Sequence, residues 1–131
     1  MARALICSQR PLEELQRTLI ARQDVARYHA DDCRDAFGAA RHLPVDVLFV
    51  DAEIPGALDL VREVRSEPLT RHIAVAVLAR PGSEQVLADA IRDRDVEILR
   101  VPPGADWDER LVRLLHVTPR RAVRQRVDVD V

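Results

Sequence analysis

Short apolar runs alternate with stretches of helical spacing along almost the whole chain. Ala4-Leu5-Ile6-Cys7 reads as a buried strand. Pro11, well tolerated at a first helical position, then opens a segment in which Leu12, Leu15 and Leu19 share one helical face. Residues 25–29 form a weaker second strand, and Asp31 and Asp32 offer N-cap oxygens to a short helix ending near His42, before the break at Pro44. The clearest strand is Val45-Asp46-Val47-Leu48-Phe49-Val50-Asp51, whose unbroken hydrophobics are expected of a strand covered on both faces. Leu58, Val61 and Val64 mark the next helix. Residues 73–78 are another fully buried strand, and Ser83 is placed to cap a helix carrying Val86, Leu87, Ala90 and Ile91. Residues 96–99 are a fifth strand, after which Asp106 and Glu109 have capping-box spacing ahead of a helix with Leu111, Val112, Leu114 and Leu115.

Five repeats of strand and helix predict an α/β fold in which a parallel sheet is wound on both sides by helices. For five strands the expected arrangement is the flavodoxin-like (βα)5 doubly wound sheet, strand order 2-1-3-4-5. The pattern accounts for residues 1–117 as one domain. Residues 118–131 break it: Arg120, Arg121, Arg124 and Arg126 crowd together before an alternating Val-Asp run. They read as a basic tail or linker, with an output domain beyond it as the alternative.

In open parallel sheets ligands bind beyond the carboxyl ends of the strands, where the strand order reverses. That singles out Ser8, Gln9 and Arg10 after the first strand, Asp51 at the end of the third, Ala79 and Arg80 after the fourth, and Val101 with Pro102 after the fifth. Asp51 is the one acid at the end of an apolar strand.

Composition narrows the field. A chain of 131 residues suits one domain, and a net charge of −2 gives no overall field for nucleic acid or membrane. No segment approaches the roughly 20 apolar residues of a spanning helix, and the N-terminus lacks a signal-peptide core. Cys7 and Cys33 show no metal spacing and read as free thiols, so a cytoplasmic protein is expected. His29, His42, His72 and His116 are scattered, and no Ser-His-Asp pattern is evident. With only four glycines there is no phosphate-cradling loop, which argues against a flavin or nucleotide enzyme.

At these residues the sequence resembles the receiver domain of two-component response regulators, from about Arg3 to Val117. Residues 3–11 are similar to the family's opening strand, acidic pair and proline. Asp46-Val47-Leu48-Phe49-Val50-Asp51-Ala52-Glu53-Ile54-Pro55-Gly56 is similar to its third strand, phosphoacceptor aspartate and proline-glycine turn, and residues 70–75 resemble the lead into its fourth strand. The resemblance implies phosphoryl transfer from a partner histidine kinase to Asp51, assisted by Mg²⁺. Carried over residue by residue, the match is poor. The acidic pair falls on Ser8 and Gln9, the switch hydroxyl on Ala79, the lysine on Val101 and the strand-five aromatic on Ile98; the chain is also about two residues short after Gly56. Each charged hydrogen bond lost is worth roughly 1.5–3 kcal/mol. At about 1.36 kcal/mol per tenfold, phosphotransfer should be slowed by orders of magnitude. The expectation is a pseudo-receiver that is not an enzyme, needs no cofactor and works through protein binding. Arg80 and Arg10 are candidate compensating cations near Asp51. The alternative is a working phosphoacceptor, with Mg²⁺ held by Asp51 and Glu53.

In the resembled family the face of the fourth helix, fifth strand and fifth helix takes partners or a second copy. Here it includes Arg92, Glu97, Trp107 and Arg110. No nucleic-acid or membrane contact is expected of this domain. In the tail, Arg120-Arg121-Ala122-Val123-Arg124 looks like the opening of PilZ-type cyclic-di-GMP-binding domains, so a receiver-plus-output protein is the second functional class.

Overall fold

The computed structural model describes residues 2–116. Five strands, β1 (Ala2–Cys7), β2 (Val25–Ala30), β3 (Val47–Asp51), β4 (Ala74–Ala79) and β5 (Val96–Arg100), form one parallel sheet in the order β2-β1-β3-β4-β5. This is the predicted doubly wound topology. The strands alternate their side chains between two cores, as the pleat requires. Leu48 and Val50 of β3 join Leu5, Val75 and Val77 beneath helices α1 (Cys33–His42) and α2 (Ala57–Ser66). Val47 and Phe49 join Ala4, Ala76, Leu78 and Leu99 on the opposite face. Every residue of β3 is therefore buried, which is why its sequence is a continuous apolar run.

The second face departs from expectation. The segment after β1 is not an α-helix but two 3₁₀ segments, Glu13–Arg17 and Leu19–Ala21. Leu12, Leu15 and Thr18 are all buried, a period of three that suits a 3₁₀ turn. Thr18 donates its hydroxyl to the Leu15 carbonyl and accepts from the Ile20 amide, ending one segment and capping the next. Helix α4 (Trp107–Leu115) covers the rest of this face with Trp107, Leu111 and Leu115.

Asp32 caps α1 as predicted, accepting from the Asp35 amide at 2.7 Å. Two other caps do not form. Ser83 makes no side-chain bond at the start of α3 (Glu84–Ile91), and Asp106 makes none at the start of α4. Both have helical backbone angles instead of the extended ones a capping oxygen needs, and the Asp106 carboxylate faces Arg110 at 3.7 Å. Helix α2 starts after Gly56 at φ 82°, where a side chain would be strained and would touch Cys33 Sγ. The tail, with Arg120, Arg121, Arg124 and Arg126 and the division at 117/118, lies outside the described residues. Among those described, no helix is long and apolar enough to cross a membrane.

Candidate functional site

Strand parity builds the site. Asp51 lies two residues past Phe49 and so points to the face of the 3₁₀ segments. It sits opposite Leu78 of β4, and Arg80, two residues further on, emerges on the same side. Arg80 Nη2 is 3.6 Å from Asp51 Oδ2. Its Nε donates to Glu53 Oε2 at 2.8 Å, and its Nη1 lies 3.8 Å from Glu14 Oε1 on the first 3₁₀ segment. One guanidinium thus faces three carboxylates from three parts of the chain. The Asp51 side chain is only 8% exposed, and its Oδ1 accepts the Glu53 amide at 3.1 Å. A carboxylate so placed is costly unless an opposite charge is near. The Arg80 guanidinium is held above its ordinary value, chiefly by the hydrogen bond to Glu53; burial opposes this, and Asp51 and Glu14 add to it.

The remaining predicted positions carry no such chemistry. Ala79 and Val101 are buried, and the Val101 amide donates to the Ala79 carbonyl at 2.8 Å. Gln9 and Arg10 are exposed; of the two arginines considered near Asp51, Arg80 reaches it and Arg10 does not. Ser8 is wholly buried and donates its hydroxyl to the Arg10 carbonyl at 2.7 Å. Its Oγ also lies 3.2 Å from His29 Nε2, and His29 Nδ1 lies 3.3 Å from Asp31. This Ser-His-Asp chain was not visible in the sequence, because its members sit at the ends of β1 and β2, which pair only in the fold. With the serine inaccessible and its proton committed to a carbonyl, the chain braces the turn after β1 and presents no nucleophile.

Mg²⁺ needs near-octahedral oxygen ligands at about 2.0–2.1 Å. The donor set as it stands does not match. Ser8 is engaged, Gln9 is neutral and exposed, and Glu14, Asp51 and Glu53 are already paired with a guanidinium. Among the described residues no group of three His, Cys, Asp or Glu side chains is arranged to hold a metal ion. Both thiols are free, and burial first, then the neighbouring Cys33, pushes Cys7 up to about 12, leaving it unreactive.

Glu14 is the site residue that sequence reasoning missed. An α-helical reading of residues 12–19 gave no reason to turn it toward the sheet. The face formed by α3, β5 and α4 also needs a correction. Trp107 is 3% exposed and donates its indole N–H to the Arg100 carbonyl at 2.8 Å, so it is a core residue and offers no surface to a partner. Arg110 pairs with Glu97 at 3.2 Å, and Arg92 is exposed at the end of α3.

Comparison with protein-family models and with curated proteins gives no match. Solved structures do match. A response regulator receiver domain protein from Clostridium thermocellum superposes with a TM-score of 0.69 at 20% identity, over 88% of this chain and 92% of that one. A two component transcriptional regulator AraC from Clostridium phytofermentans gives 0.73 at 20% identity, over 88% and 94%. An adenylate cyclase from Rhodopirellula baltica gives 0.67 at 16%, over 85% and 84%. The chain therefore has the receiver-domain fold. At these identities the likeness is one of fold, and the spread of names among the neighbours shows that activity must be argued from the site.

Proposed function

We propose that the chain is a signal-transduction receiver module of the pseudo-receiver type, in which Asp51 is a poor phosphoacceptor and the domain works by binding a protein partner. The observation that carries this is Arg80 facing Asp51 at 3.6 Å, which puts a fixed protein cation beside the carboxylate. Ser8, Gln9, Ala79 and Val101 add to it, since none supplies an acid, a switch hydroxyl or a cation where the resembled family has one. The module is not an enzyme in its own right, needs no cofactor and acts in the cytoplasm.

The surface of α3, β5 and α4 is the binding face, used by a protein partner or a second copy. In support, α3 contributes no buried residue to either core and leaves Val86 69% exposed. Arg92, Glu97 and Arg110 are among the polar groups it offers. Incubation with Mg²⁺ and acetyl phosphate tests the proposal. The expected result is no stoichiometric acid-labile product. Rapid, stoichiometric labelling that disappears in Asp51→Ala would make the chain a working phosphoacceptor and a direct target for a histidine kinase.

A further inference from the structure

We propose that Cys7 and Cys33 form a reversible dithiol site, which a low-molecular-weight disulfide of the glutathione class oxidises to an intramolecular disulfide. The site does not depend on how Asp51 is neutralised.

The chain has two cysteines, and the fold brings them together. Cys7 ends β1 and pairs with Ala30, the last residue of β2. Asp31 and Asp32 then carry the chain to Cys33, the first residue of α1. Cys33 packs against the core cluster that contains Cys7. The two thiols are hydrogen-bonded to each other, a contact that raises Cys7 and lowers Cys33 and so makes Cys7 the donor. Cys33 in turn donates to the Pro55 carbonyl at 3.2 Å.

Exposure divides the roles. Cys7 is wholly buried and Cys33 half-buried, so only Cys33 meets a disulfide arriving from solvent. Burial raises both thiols, and the hydrogen bond received from Cys7 opposes the rise at Cys33. Cys33 is therefore the attacking thiol and Cys7 the resolving one. The Cys33 sulfur attacks one sulfur of the small disulfide and forms a mixed disulfide. The small thiolate expelled takes up the Cys33 proton. The Cys7 sulfur then attacks the Cys33 sulfur, the mixed bond breaks, and the second small thiolate leaves with the Cys7 proton. Two protein thiols are oxidised, and one small disulfide is reduced to two thiols. A disulfide has no S–H, so the Pro55 carbonyl loses its donor. Pro55 lies in the loop from Asp51 to α2, and a Cβ added to its neighbour Gly56 would stand 3.7 Å from Cys33 Sγ. Oxidation is thus felt in the loop that follows Asp51.

The test is equilibration of the full chain in glutathione redox buffers, with mass spectrometry after alkylation of the remaining thiols. The expected product is a monomer that has lost two hydrogens, takes up no alkylating group and is restored by reduction. With two cysteines in the chain, that product is the Cys7–Cys33 bond. Its equilibrium constant should fall at least ~10-fold in denaturing urea, because the fold supplies the effective concentration. Cys7→Ala should stop at the mixed disulfide on Cys33, and Cys33→Ala should leave Cys7 unmodified. Should either variant fail to fold by circular dichroism, the native chain with and without urea decides alone. A native chain that keeps both thiols, accumulates a stable mixed disulfide or crosslinks only between molecules would overturn the proposal. So would an equilibrium constant no higher in the folded chain than in urea.

Discussion

Arg65 and Arg80 each gather more than one acid, and they do so to different ends. Arg65, near the end of α2, donates from Nε to Asp93 at 2.9 Å, from Nη2 to Asp95 at 3.2 Å and from Nη1 to the Arg71 carbonyl at 3.2 Å. All three contacts are hydrogen bonds, and together they fasten α2 to the turn before β5 and to the loop before β4. Arg80 makes one hydrogen bond, to the 63% exposed Glu53, and two longer ion pairs, one of them to nearly buried Asp51. The first is a staple on the surface. The second supplies charge to a carboxylate that has little else to neutralise it. Geometry that looks similar as a list of ion pairs thus separates by burial and by how many contacts are true hydrogen bonds.

Breaking each cluster should reveal that difference. The largest effect is expected for Arg80→Ala, at about 1–3 kcal/mol in urea denaturation, because Asp51 would be left buried and unpaired. Asp51→Asn in the Arg80→Ala background should restore most of the loss. A double mutant no more stable than Arg80→Ala would mean that the buried charge is not the source. Arg65→Ala should cost about 1 kcal/mol, typical of a partly exposed network, and no second substitution at Asp93 should recover it. Glu53→Gln should change stability by less than about 0.5 kcal/mol, since the group is largely in water.

The smallest effect is a pH dependence of the Arg65 staple. The hydrogen bond from Arg65, and then the Asp95 amide, hold the Asp93 carboxyl below its ordinary value of 3.8. A depressed carboxylate contributes stability that is present above 3.8 and is lost as pH falls through its lower native value. The difference between native protein and Arg65→Ala should therefore be constant at neutral pH and shrink only in acid. A difference that changes between pH 5 and 8 would place its origin elsewhere.

The sheet was legible because burial on both faces leaves no choice of residue. Val47 to Val50 must be apolar throughout, and the alternation of strands with helical spacing predicts the order even though β2, exposed on part of its length, is a weak run. Arg80 was legible only as one of two candidates, with Arg10, because both follow strands that flank Asp51; the register of β4 with β3 is what brings Arg80 to it. Glu14 was hidden because Leu12 and Leu15 fit a period of 3.6 as well as one of 3, and only burial of Thr18 decides for the tighter turn. The cap at Asp106 failed for a different reason. Its spacing to Glu109 is right, but the backbone is already helical there and Arg110 draws the carboxylate away. Trp107 was ambiguous because a lone tryptophan beside a helix start suits both a core lid and a surface anchor; the bond from its indole to the Arg100 carbonyl makes it the former. That every one of the chain's 20 basic side chains is arginine fits a design in which positive charge is fixed and forked.

The central claim is that a protein cation, and not a metal ion, neutralises Asp51 in the native chain. Magnesium titration followed by the backbone amide resonances of Ala52 and Glu53, the latter hydrogen-bonded to Asp51 itself, addresses it most directly. Those resonances should stay in place up to about 10 mM Mg²⁺, well past the level at which a carboxylate-rich oxygen site would fill. Saturable shifts at both amides with a midpoint below about 1 mM, lost in Asp51→Ala, would contradict it.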